Sequence, residues 1–214
     1  MKNTEYHSDW QNNRIKFLID TYGHSFFENK KILELGSHNG YIGNYFIEKC
    51  GANVLSVEGR KENVKKINDD YPNLPVIVSN LDVNEWIFGK WDIIINFGLF
   101  YHLEKCHTQH LVNCINNCNI MFFESVIFDS KYNEIFFTNE NGSDQSLTNI
   151  GGNPSTSFVE NIFQIHNCKY EKNCSASFNG DLHCYDWVDS NSRKLDRYNR
   201  RFWTVYCNDK LNNV

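Results

Sequence analysis

Three groups of residues carry side chains whose types and spacing can do chemistry. The first is Glu34-Leu35-Gly36-Ser37-His38-Asn39-Gly40, followed by Gly43. Glycines at these offsets allow a tight bend and a close backbone approach to a ligand where a strand gives way to a helix. A dinucleotide fingerprint places a second glycine where His38 stands, to make room for pyrophosphate at the helix start. A bulky side chain there works against pyrophosphate. The Glu-x-Gly-x-x-x-Gly spacing suits a ligand with a zwitterionic amino-acid end and no phosphate. The second group is Val57-Glu58-Gly59, whose carboxylate can accept hydrogen bonds from both hydroxyls of a sugar. The third comprises proton-handling candidates: His102, in Gly98-Leu99-Phe100-Tyr101-His102, and Glu124, in Phe122-Phe123-Glu124-Ser125. Imidazole takes up protons near neutral pH, and a carboxylate can do so when its surroundings permit.

The elements that must position these residues follow from short apolar runs alternating with helical patterns. Strands are expected at Lys31–Leu35, Val54–Val57, Val76–Ser79, Asp92–Phe97 and Ile120–Glu124. Helices are expected at about Gly40–Cys50, Lys61–Asp70 and Glu104–Cys118, after a first helix near Asp9–Tyr22. This alternation implies crossover units and a mostly parallel sheet covered on both faces. Tyr132–Gly152 is polar and turn-rich and reads as an excursion or lid spanning about 130–154. A helix from Ser155 to about His166 follows, and Lys169–Phe178 and Phe202–Cys207 read as closing strands. The expectation is an α/β fold: a three-layer α/β/α sandwich on a seven-stranded sheet with an antiparallel last strand. Residues 1–29 form a helical segment packing on a single domain, 30–214.

Composition narrows the function classes. At 214 residues, 41% hydrophobic and 15% aromatic, the chain can bury one large core. A net charge of −5 argues against broad nucleic-acid binding. No stretch approaches the roughly 20 apolar residues of a membrane span. The N-terminus lacks the apolar run of an export signal. Eight cysteines occur without a Cys-x-x-Cys pair, which reads as reduced, mostly buried thiols in a cytoplasmic protein.

With these landmarks in order, the segment from about 30 to 130 resembles the class I S-adenosylmethionine-dependent methyltransferases. The resemblance implies a Rossmann-like fold and a cofactor, S-adenosyl-L-methionine, leaving as S-adenosyl-L-homocysteine. It implies cofactor contacts from Glu34, Gly36, Ser37, His38 and Gly40, from Glu58 and Gly59, and from Asp82 and Val83 after the third strand. Asn96 and Gly98, at the end of the fourth strand, belong to the same set. Asp82 also has a plainer reading, as the cap of a short helix through Asn84–Phe88. His102 falls beside the expected methyl position, as a general base or substrate ligand. Glu124 is the second catalytic candidate, and Tyr101 a wall of the pocket. Trp10 and Arg14 are candidates to close over the cofactor, the arginine facing its carboxylate.

Other constellations carry less. His102, Cys106, His110, Cys114 and Cys118 recur every four residues, but such a stripe drifts by roughly 40° per step around a helix, so the five cannot converge on a metal. No metal site is expected. Arg193, Lys194, Arg197, Arg200 and Arg201, interleaved with aromatics, could bind a phosphate or stack on a base, or form a solvated hairpin. Asp144, Gln145, Ser146 and Ser155 lie where substrate lids occur. The leading expectation is methyl transfer to an oxygen or nitrogen of a small molecule. An alternative is a tRNA- or nucleotide-modifying transferase. Segments 98–102 and 123–125 also resemble the wobble-uridine carboxymethyl-transferring enzymes, which use a carboxylated cofactor, although the long N-terminal region of those enzymes is missing here. A non-catalytic cofactor-binding subunit is a third.

Overall fold

The computed structural model describes residues 2–86, 88–128, 130–142, 144–184, 186–187 and 199–208. Helix α1 (Lys2–Tyr22) leads into β1 (Lys31–Leu35), α2 (Tyr41–Cys50), β2 (Asn53–Glu58), α3 (Lys61–Asp70) and β3 (Val76–Val78). Then come β4 (Trp91–Phe97), α4 (His107–Asn117), β5 (Cys118–Val126), the hairpin strands β6 (Ile135–Asn139) and β7 (Ile150–Pro154), α5 (Thr156–Ile165), β8 (Lys169–Asn173) and β9 (Arg200–Tyr206). The sheet has seven strands in the order β3-β2-β1-β4-β5-β9-β8. β9 runs antiparallel to both its neighbours and the remaining pairs are parallel.

The apolar runs of the central strands supply both cores because successive side chains point to opposite faces. Leu33, Ile94 and Phe123 face one core, with Leu111 and Cys114 of α4 and Val159 and Phe163 of α5. Ile32, Ile93, Ile95 and Phe122 face the other, with Leu18 of α1, Phe46 of α2 and Ile67 of α3. The result is the expected three-layer sandwich. Among the described residues no helix is long and apolar enough to cross a membrane.

The strand expected at Lys169–Phe178 ends at Asn173, the first helix starts at Lys2, and two further differences bear on the site. Helix α4 begins at His107 because the turn before it is held by Asp82, whose carboxylate accepts the backbone N–H groups of Glu104 (3.1 Å), Lys105 (3.0 Å) and Cys106 (2.7 Å). Asp82 therefore caps the entry to α4, not a helix through residue 84. The polar segment after β5 is not merely an excursion: β6 and β7 pair across it as an antiparallel hairpin. Its Gly151-Gly152 step has little strand propensity but permits close approach. A Cβ on Gly151 would stand 2.6 Å from the Tyr101 carbonyl, and one on Gly152 2.6 Å from the His107 ring.

Candidate active site

The carboxyl ends of β1, β2 and β4 surround a cavity of about 630 Å³, a volume in the range of small-molecule sites. It lies at the topological switch between β1 and β4, where open α/β sheets bind ligands. Trp10 and Gln11 of α1 close one side. Glu140, Ser146 and Leu147, from the loop joining β6 to β7, close another. That loop touches the opposite rim, where the Arg60 guanidinium donates to the Gln145 carbonyl.

The first motif forms the floor. Gly36 turns out of β1 with φ +70°, and His38 adopts the left-handed region at φ +52°, which an ordinary side chain occupies only under local constraint. Part of that constraint is Glu58: its Oε2 accepts the His38 N–H at 3.0 Å, while Oε1 accepts from Arg60 N at 2.9 Å and Asn63 Nδ2 at 3.3 Å. A carboxylate offers about four acceptor positions, so one remains open and the long Asn63 bond can yield a second. Glu34, Gly36, Ser37, His38, Glu58 and Gly59 all line the cavity, as do Asp82 and Gly98. Leu147 packs where a side chain on Gly59 would lie. Gly40, Val83 and Asn96 do not line it. Gly40 is the N-cap of α2. Asn96 is fully buried beneath the sheet, where its Nδ2 donates to His110 Nε2 at 2.8 Å and meets Cys114 Sγ at 3.8 Å. That is the role of the His/Cys stripe on α4: it pairs a buried amide. The side chain of Asp82 accepts four bonds from the α4 turn, the Lys105 N–H reaching both oxygens, and has little capacity left for a ligand.

Glu34 works from behind the floor. It is buried, accepts the Ser56 hydroxyl at 2.5 Å, and bonds the Gly43 N–H of α2. Burial pushes its carboxyl up to about 7, although those two hydrogen bonds oppose the shift. From the ordinary 4.5 up to about 7, the folded chain then holds a proton that the unfolded chain releases, so this group removes stability as pH rises through that window. His107 and His110, which burial holds at about 4, act oppositely and add stability as pH rises toward 6.5. The parent curve therefore mixes the two. Glu34→Gln is expected to be more stable than the parent above pH 7 by up to about 3 kcal/mol and nearly equal to it below pH 4.5. Urea melts at pH 4.5 and pH 8 check this; a constant offset between the two chains would refute it.

The second candidate group centres on His102, in a 3-10 turn at Phe100–His102. His102 lines the cavity, and its Nδ1 lies 2.6 Å from Glu140 Oε2. A carboxylate partner places the ring proton on Nδ1 and leaves the Nε2 lone pair to accept one. Glu140 is itself buried and held by the Ser146 N–H at 2.9 Å. Sequence reasoning missed Glu140: it lies in a polar stretch 38 residues from His102, with no motif around it. Tyr101 also lines the cavity, its hydroxyl accepting from Arg200 Nη2 at 3.0 Å.

Glu124 is not a free base. It is fully buried and does not line the cavity; Arg14 Nη2 reaches it at 3.0 Å, Arg200 Nη1 at 3.3 Å and the Gly98 N–H at 3.1 Å. Nor does Arg14 face a ligand. It is fully buried between Glu124 and Asp186 (2.7 Å), beneath Trp10. Burial alone would raise the Asp186 carboxyl, but the hydrogen bond from His183 and the charges of Arg14 and Arg200 outweigh it and hold the group well below the usual range. Of the basic cluster, Arg200 turns into the cavity and its ion pairs, and Arg201 is buried in β9. Arg193, Lys194, Arg197 and Tyr198 lie outside the described residues.

Comparison with known proteins agrees with this geometry at the level of the fold. No family model and no curated protein sequence matches the chain. Solved structures do. The N-terminal domain of EvdMO1, crystallised in the presence of S-adenosylhomocysteine and D-fucose, superposes with a TM-score of 0.66 at 14% identity, over 92% of this chain and 82% of that one. The fold is that of the class I methyltransferases. Plantazolicin methyltransferase BamL, in complex with a triazolic desmethyl analogue and S-adenosylhomocysteine, gives 0.61 at 11% identity over 96% and 90% of the two chains. An S-adenosylmethionine-dependent methyltransferase from Clostridium acetobutylicum gives 0.61 at 11%, over 93% and 91%. In this methyltransferase fold the carboxyl-terminal rim of the sheet carries Ser37, Glu58 and His102 on one cavity.

Proposed function

We propose that this chain is an S-adenosylmethionine-dependent methyltransferase acting on an oxygen or nitrogen of a small molecule. One observation carries the reading: the His102–Glu140 pair and the Glu58 carboxylate open onto the same cavity at the switch point of the sheet. The cavity suits such a cofactor. Ser37 Oγ and Trp10 Nε1 are buried cavity-lining groups without a partner among the described residues, and buried polar groups are ordinarily satisfied. Ser37 and the loop N–H groups would hold the amino-acid end, and Glu58 the sugar. When bound, the cofactor supplies an electrophilic methyl group on a sulfonium, whose departure needs no proton.

What remains for the protein is alignment, exclusion of water and removal of a proton from the acceptor. His102 takes that proton on Nε2, and Glu140 stabilises the imidazolium through Nδ1–H. Trp10 and Leu147 narrow the openings to solvent. A small acceptor is supported by the cavity volume and by the inward placement of Arg200 and Arg201, which removes both from any surface patch for RNA. Eight cysteines with no disulfide among the described residues fit a reducing, cytoplasmic setting.

Calorimetry with S-adenosylmethionine and S-adenosylhomocysteine tests the reading. Glu58→Ala is expected to weaken both by at least about tenfold, the loss of one charged hydrogen-bond acceptor. No binding heat from the folded parent with either nucleoside would end the proposal.

A further inference from the structure

His7 on α1, His38 in the β1–α2 loop and Asp144 in the β6–β7 loop approach one another at the edge of the cavity. Their nearest ligand-type atoms all lie within 4.8 Å of one another, and His38 Nε2 stands 3.7 Å from Asp144 Oδ1. The two imidazole rings lie 4.8 Å apart, tilted by 33°. We infer that these three residues form a binding site for a zinc-class divalent cation, which ties α1 and the β6–β7 loop to the cofactor loop.

The geometry is close to what such an ion needs. Ligands 2.0–2.1 Å from a tetrahedral centre lie about 3.4 Å apart, so the widest separation has to close by about 1.4 Å, within the reach of side-chain rotation. His38 and Asp144 are already near that spacing. Two imidazole nitrogens and one carboxylate oxygen select zinc and its neighbours over magnesium or calcium, which prefer all-oxygen sites. All three residues line the cavity, so an ion held by them would keep a coordination position for water or for a heteroatom of a molecule bound there. The site is independent of the methyl-transfer reading, because it rests on these three side chains alone.

The spacing of histidines and cysteines along α4 pointed to no such site, and the three ligands here are drawn from segments separated by 31 and 106 residues. An ion bridging them joins the two elements that flank the cavity to its floor. Its affinity is therefore coupled to how far the hairpin loop is closed.

The test uses the full chain carrying Cys184→Ser, which removes an exposed competing thiol, stripped of metal with a chelator and titrated with zinc chloride by calorimetry. One equivalent of zinc is expected to bind, with no saturable heat from magnesium chloride. His7→Ala and Asp144→Asn, each shown by circular dichroism to be folded, should weaken zinc at least tenfold. Cobalt(II) should give the visible absorption of a low-symmetry nitrogen/oxygen site in the parent and lose it in both variants. Absence of a one-equivalent zinc event in the parent, saturable magnesium binding of equal strength, or a variant that binds zinc as tightly as the parent would each overturn the inference.

Discussion

Replacing His102 by alanine is expected to slow methyl transfer by roughly 10²- to 10⁴-fold for an acceptor that must lose a proton, the usual worth of a positioned general base. Cofactor affinity should stay within about threefold, because nothing in the Glu58 cluster touches this ring. Two internal controls separate chemistry from structural damage. An acceptor that carries no proton on the attacking atom, such as a tertiary amine or a thioether, should be far less affected. Added imidazole should restore part of the rate to His102→Ala. Glu140→Gln is expected to lower kcat while leaving KM for the cofactor nearly unchanged, since Glu140 acts through the ring it holds at 2.6 Å. Release of demethylated cofactor across a panel of alcohols, phenols and amines provides the readout. Full activity of His102→Ala on a protonated acceptor would show that the proton leaves by another route.

Glu124→Ala should instead announce itself as a loss of fold. Its carboxylate, wholly buried, sits between Arg14 and Arg200 and holds the Gly98 N–H. Removing one member of a buried ion cluster leaves positive charge uncompensated away from water, at a cost of about 3–5 kcal/mol. For a chain of this size that corresponds to a fall of roughly 6–20 °C in Tm. The double variant Arg14→Leu, Glu124→Leu should recover part of the loss, because Arg200 and Asp186 (3.9 Å) then remain as a balanced pair. Thermal melts of the three chains decide it. A Glu124→Ala protein of normal stability but no transfer activity would return this residue to the list of candidate bases.

The sheet could be read in advance because parallel strands covered on both faces are mostly apolar runs, as in Ile93-Ile94-Ile95 and Ile120-Met121-Phe122-Phe123. The floor of the cavity was equally open to inspection, since its glycines and Glu58 follow directly from strand ends. What escaped were partnerships between remote segments. Glu124 marks a strand end in the sequence, but its meaning depends on Arg14, 110 residues away, and on Asp186 and Arg200 beyond it. Asp82 has the position of a ligand contact, yet three N–H groups from 104–106 claim its oxygens. The β6–β7 hairpin was hidden for a different reason: a strand spelled Ile-Gly-Gly-Asn-Pro shows neither alternation nor β-branched bias.

That hairpin has a temporal consequence. The carboxylate that seats His102 belongs to a loop outside the main sheet. If His102 accepts the acceptor's proton as proposed, a swing of the loop that admits or discharges a molecule would also unseat that residue, and exchange and reaction would then alternate within each cycle.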